Sequence, residues 1–136
     1  MANANDIEEV ALQLVREGMV EQVRISFTIK GDSSVSLTRA NGSTISAASV
    51  DLFDCLAIIR QDLESDGWLL LCNGARRDVY PSPMQRQMAR GRYAYLHMQP
   101  RTSNSPPHVD IFEPADLACV GTVAEQKETI RRWMQG

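Results

Sequence analysis

The residues that could do chemistry begin at Cys72, which ends an apolar run and shortly precedes Arg76 and Arg77. A cysteine phosphatase holds a thiolate inside a phosphate-binding loop that is closed by an arginine at the sixth position after the cysteine. Here the sixth residue is Asp78, and the two arginines come one and two positions too early. The spacing therefore excludes a phosphatase loop. The three cysteines also lack C-x-x-C spacing, so we interpret them as buried thiols.

Arg76 and Arg77 remain candidates for an anion-binding site, because a planar guanidinium group can form two parallel hydrogen bonds with a carboxylate or phosphate. The segment is too short for a P-loop and carries no Lys-Ser/Thr pair. One alternative is a small enzyme that binds an anion or a nucleotide with these arginines. The other is that they form salt bridges with Asp78 and the acidic first half of the chain. The sequence favours the second.

Two histidines and two carboxylates form the next candidate, either a metal site or an acid–base pair: His97, His108, Asp110 and Glu113. His108 and Asp110 are two positions apart, so they would share one face of a strand. Zinc sites usually add a Glu-x-x-His helix or paired cysteines, which are missing here, and no serine stands in a nucleophile-elbow motif. We therefore expect no catalytic residue, no metal and no cofactor.

Tyr93 and Tyr95 alternate along a predicted strand beside Arg90 and Arg92, and such a face could stack the bases of a nucleic acid. Against this alternative, the formal net charge is −3, and neither an RNP-like Gly-Phe pattern nor a lysine run is present. Tyrosine and arginine are equally enriched at the centres of protein–protein interfaces. The sequence thus disfavours a nucleic acid as the partner.

Charge is distributed unevenly along the chain. Residues 1–66 hold 11 acids and 5 bases, whereas residues 67–107 hold one acid and six arginines. Five of the acids form a candidate surface for a basic protein partner: Asp51, Asp54, Asp62, Glu64 and Asp66. The alternative is that these acids are simply the solvated face of a helix.

The elements that would position these residues follow from hydrophobic periodicity. Apolar residues at i, i+3, i+4, i+7 and i+8 predict an N-terminal helix. Its apolar face extends from Ile7 to Val15, and Gly18 ends it. Strict alternation then predicts a β-meander over residues 20–45, with a type I′ turn at Asn41-Gly42. A second helix should begin at Ser46 or Ser49, end at Gly67 and lie across the sheet.

The rest of the chain alternates between short elements. The apolar run Trp68–Cys72 predicts a central strand that is covered on both faces. Ser82, with proline after it and Gln85 at the third helical position, predicts a short helix over Pro83–Ala89. Strands are predicted over Arg92–Met98 and His108–Phe112, with a loop over Pro100–Pro107 between them. Thr122 begins a capping box for a last amphipathic helix.

These elements predict a single α+β domain over residues 1–136. We expect a mixed, mostly antiparallel sheet of about five to six strands, helices at both termini and one long helix packed on the sheet. No segment has the length and apolarity of a membrane span, and the N-terminus lacks a secretory signal. We therefore expect a cytoplasmic protein that does not bind membranes.

Four segments carry a resemblance to a known family: WLLLCNGARRDVYPS from Trp68, GRYAY from Gly91, VDIFEPAD from Val109 and VGTVAEQ from Val120. Over residues 67–133 the chain resembles small, stand-alone bacterial proteins, which we link to the immunity proteins of toxin systems, including contact-dependent growth inhibition. The resemblance implies a cytosolic protein that binds a toxin domain and blocks it. It supplies no catalytic residue.

Overall fold

The computed structural model describes residues 6–97 and 106–135, which form eight strands and three α-helices. The first half contains β1 (Ile7–Arg16), β2 (Met19–Thr28), β3 (Ser33–Thr38), β4 (Thr44–Ser49) and α1 (Leu52–Glu64). The second half contains β5 (Leu69–Leu70), β6 (Val79–Tyr80), α2 (Pro83–Ala89), β7 (Tyr93–Leu96), β8 (His108–Asp110) and α3 (Val123–Gln135). The predicted α+β class is confirmed.

The strands form two sheets rather than one. The larger has the order β4-β3-β2-β1-β5 and the smaller the order β6-β7-β8, and every pairing between these strands is antiparallel. As predicted, a long helix packs on the sheet, because α1 lies across β3 and β4. Its apolar residues join the inward side chains of both sheets in one hydrophobic core.

The N-terminal segment is a strand, so the predicted helix over Ile7–Val15 is wrong. β1 pairs along its whole length with β2, and its buried residues Leu12 and Leu14 follow a period of two. Glu17 and Gly18 join the two strands with φ angles of 47° and 80°. Positive φ at both positions is the type I′ geometry that matches the twist of a hairpin. The sequence pattern fits a helix equally well, and pairing with β2 decides the outcome.

The meander is confirmed, but its turn at Asn41-Gly42 differs from the type I′ prediction. Gly42 has a φ of 90°, whereas Asn41 does not share this left-handed conformation. The Gly42 amide donates to the carbonyl oxygen of Arg39 at 2.9 Å. The connection is therefore a type I turn closed by a left-handed glycine, which is the usual solution when a hairpin loop is one residue longer.

The apolar run Trp68–Cys72 is not a central strand. β5 contains two residues and lies at the edge of the larger sheet. The chain then runs beside the segment that follows β8, where the Asn73 amide donates to the Glu113 carbonyl at 2.8 Å and the Gly74 amide to the Ile111 carbonyl at 2.9 Å. The run is apolar because Trp68, Leu70 and Cys72 belong to the hydrophobic core and the two leucines between them pack against it. A Cβ atom on Gly74 would come within 2.6 Å of Leu56 Cδ2 and within 3.2 Å of the Ile111 carbonyl oxygen, so this close approach favours glycine.

Helix boundaries agree best with the sequence where a capping box is present. α2 has the predicted bounds, with reciprocal bonds between Ser82 and Gln85, and Thr122 and Glu125 form the predicted box before α3. α1 begins later than predicted, because residues 44–49 belong to β4 and Asp51 caps the helix. Residues 98–105, which include the last residue of the strand predicted over Arg92–Met98 and most of the loop predicted over Pro100–Pro107, lie outside the described residues. No helix among residues 6–97 and 106–135 is long and apolar enough to cross a membrane.

Candidate protein-binding surface

Asp51, the first of the five predicted partner-binding acids, is only 3% exposed. Its carboxylate accepts a hydrogen bond from the Asp54 amide at 2.7 Å and another from Arg86 Nη1 at 2.7 Å. The first bond caps α1, and the second connects α1 to α2. Asp51 is therefore engaged within the fold and is not presented to a partner.

The other four acids are divided between internal contacts and solvent. The Asp54 carboxylate accepts a hydrogen bond from Ser49 on β4. Glu64 accepts one from the Val123 amide at 3.0 Å, and burial raises the pKa of this carboxyl group. Asp62 and Asp66 are exposed. The five acids thus do not form one acidic face, and only these last two are open to a basic partner.

Arg76 and Arg77, the predicted anion-binding pair, are both engaged within the protein. Arg76 binds both carboxylate oxygens of Asp78, at 2.8 and 2.9 Å. Arg77 donates to the carbonyl oxygens of Val120 and Ala118, at 2.6 and 2.7 Å. For Arg76, the geometry agrees with the salt-bridge alternative. Arg77 instead fixes the loop before α3.

The cysteine and histidine candidates do not assemble into a reactive site. Cys72 is fully buried, and burial raises the pKa of its thiol to about 11, so the thiol is protonated at neutral pH. Asp110 accepts hydrogen bonds from Arg92 and from the Phe112 amide, and none from His108. Within residues 6–97 and 106–135, no group of three potential metal ligands comes together.

The tyrosine face is present, but its arginines are bound elsewhere. Tyr93 is 40% exposed on β7. Arg92 forms salt bridges with Glu8 and Asp110, at 2.9 and 3.1 Å. Arg90 donates to the Thr28 carbonyl at 3.0 Å. Neither guanidinium group is left to bind a phosphate beside a stacked base, so the geometry gives little support to the nucleic-acid alternative.

A buried polar network, which we call the Arg60–Gln126 hub, was not predicted from the sequence. Arg60 on α1 is 1% exposed and donates to Gly74 O, Gly121 O and Gln126 Oε1, all within 3.0 Å. The amide nitrogen of Gln126 on α3 donates to the carbonyls of Gly74, Arg76 and Val79. The one sequence signal was a charged residue inside the apolar stripe of α1. The hub connects two helices and two loops, and it is closed to solvent.

The larger sheet has one open face. Its inward residues are buried beneath α1, whereas the alternate residues on β1, β2 and β4 face solvent. Three shallow depressions of about 340, 390 and 380 Å³ mark this side. The first shares Ala11 and Gln22 with the second, and it shares Gln13, Leu71, Pro114 and Ala115 with the third. Together they form a continuous furrow from the Arg39–Ala40 turn to Leu117.

The furrow has the chemistry of a protein-binding surface. Alanine, leucine, proline and glutamine side chains line its middle, and charged groups lie toward its ends. Each arginine that lines it is paired with an acid: Arg24 with Glu9, Arg39 with Glu21 and Arg76 with Asp78. The hydrogen bonds from Arg39 lower the pKa of Glu21 to about 2.

No protein-family model matches this chain, and no curated protein matches its sequence.

Proposed function

We propose that this protein is an immunity-type binding protein that neutralises a toxin domain by direct contact in the cytoplasm. The observation that carries the proposal is the furrow across the open face of the larger sheet. A broad, shallow surface of this kind suits the side chains of another protein better than a small substrate, which proteins usually enclose in a deeper pocket. The resemblance of residues 67–133 to small bacterial proteins, which we link to immunity proteins, supports the same function.

The composition of the furrow supports a protein partner for a second reason. The centres of protein interfaces are depleted in charged residues, whereas their rims are polar. The middle of the furrow follows this pattern, and exposed Leu117 lines one end of it. Exposed Asp116 lines the same end, and exposed Glu113 directly precedes the lining residue Pro114, so these acids add negative charge there. A basic toxin would be attracted by these acids and would bury the uncharged middle.

The proposal is tested by expressing the protein together with the toxin encoded by the neighbouring gene. We expect the protein to co-purify with the C-terminal domain of that toxin and to restore growth of the producing cells. A neighbouring gene that encodes no toxin, or a toxin domain that neither binds the protein nor is blocked by it, would reject the proposed function.

The binding surface is tested separately with matched variants. Ala11→Tyr places a bulky side chain in the furrow, and we expect it to weaken toxin binding by about ten-fold or more. Ala124→Tyr makes the same change at an exposed position on α3 and should leave the affinity unchanged. If Asp62→Lys combined with Asp66→Lys abolishes binding while Ala11→Tyr does not, the acidic end of α1 is the interface instead.

A further inference from the structure

The outer edge of β4 is open. β4 pairs with β3 on one side, in a register that places Ser33 opposite Ser49 and Thr38 opposite Thr44. The Arg39 amide donates to the Ser43 carbonyl, so the alternation of an antiparallel ladder directs the backbone groups of Ile45, Ala47 and Ser49 toward β3.

The alternate residues of β4, Thr44, Ser46 and Ala48, direct their N–H and C=O groups away from the sheet. Within the part of the chain that the structure describes, no backbone group or side chain binds them. Their side chains are exposed as well. The strand therefore presents a row of backbone donors and acceptors to solvent.

Exposed edge strands usually carry features that prevent pairing with another chain, such as a charged side chain, a proline or a bulge. The sequence of β4, TISAAS, contains no charged residue and no proline, and its pairing with β3 is regular over all six residues. Nothing in β4 therefore opposes the addition of another strand. Val50, which directly follows β4, is 85% exposed and adds unburied apolar surface next to the end of the strand.

We propose that β4 pairs antiparallel with β4 of a second copy of the chain and joins the two larger sheets into one. In a register centred on Ser46, each Ser46 lies opposite Ser46 of the second copy, and each Thr44 lies opposite Ala48. About six backbone hydrogen bonds form between the open groups. The arrangement has two-fold symmetry, as most homodimer interfaces do.

Size and charge favour a second copy as the occupant. All directly opposed side chains are neutral, and the one large side chain, Ile45, lies opposite the small Ala47, so the strands approach without like charges facing each other. A basic strand from a toxin would find no carboxylate on β4 to pair with. The open edge thus fits the chain itself best, and it leaves the furrow free.

The test compares variants at the centre of the proposed interface by light scattering and sedimentation equilibrium. Ser46→Pro removes the outward N–H, and its ring points away from β3, so the ladder to β3 is kept. We expect the wild-type protein to be a dimer and Ser46→Pro to be a monomer. Circular dichroism should show that Ser46→Pro is folded. Ser46→Ala is the matched control: it loses the side-chain contact with Ser36 but keeps the N–H, and it should remain a dimer.

A charge-exchange experiment keeps the test decisive if Ser46→Pro fails to fold. Ser46→Lys and Ser46→Glu each place like charges opposite one another and should be monomeric, whereas a mixture of the two should form a heterodimer. A wild-type protein that remains a monomer at every concentration overturns the proposal. A dimer that persists in both Ser46→Pro and Ser46→Lys also overturns it.

Discussion

Arg60→Ala is expected to lower the free energy of unfolding by about 3–5 kcal/mol. The guanidinium group lies inside the Arg60–Gln126 hub, where burial lowers its pKa. Its removal leaves the Gly121 carbonyl and Gln126 Oε1 without the donor that each has now, and it opens a cavity between α1 and α3. An unsatisfied buried acceptor costs about 1–3 kcal/mol, and the cavity adds to that cost.

Urea unfolding followed by circular dichroism measures this loss. Arg131→Ala is the control, because Arg131 is exposed on α3 and forms an exposed salt bridge with Glu128. We expect no measurable change in its midpoint, since an exposed ion pair contributes little. If Arg60→Ala unfolds at the same urea concentration as Arg131→Ala, the hub does not stabilise the fold.

Phe112→Ala is expected to lower the free energy of unfolding by a similar amount, about 3–5 kcal/mol. The Phe112 ring follows β8 and stacks on Phe27 of β2, with 3.9 Å between the ring centroids and 11° between the ring planes. Both rings are almost completely buried. The pair joins the two sheets, so truncation leaves a cavity at their contact that neighbouring elements can fill only in part.

Two further variants separate this cavity effect from a general sensitivity to mutation. Phe112→Leu keeps much of the volume and should cost clearly less than Phe112→Ala in the same urea titration. Met134→Ala, at an exposed position on α3, should cost nothing measurable. Equal costs for the alanine and leucine variants at position 112 would contradict the proposed role of packing between the sheets.

Local signals in the sequence predicted the elements that local interactions specify. The bounds of α2 were correct because Ser82 and Gln85 satisfy each other's backbone within one turn. The N-terminal helix was wrong because the apolar residues of 7–15 fit periods of 2 and 3.6 alike. Pairing with β2 decides the outcome, and it depends on the Glu17-Gly18 turn, in which a glutamate adopts the left-handed conformation that usually belongs to glycine or asparagine.

Side-chain partners were predictable only where they are close in sequence. The Arg76–Asp78 salt bridge spans two residues, and the sequence already favoured it. Asp51 and Arg86 lie 35 positions apart, so the role of Asp51 as a buried cap joined to α2 had no local signal. The furrow likewise depends on residues from β1, β2 and the 114–117 segment. Only the fold brings these residues together.

The Arg60–Gln126 hub also constrains how this protein can change over evolutionary time. Gln126 uses its nitrogen for three carbonyls and its oxygen for Arg60, so neither residue can be exchanged without leaving a polar group of the other unsatisfied. We therefore expect positions 60 and 126 to covary among relatives, together with the loops at 74–79 and 120–121. An alignment in which position 60 varies freely while glutamine persists at 126 would contradict this coupling.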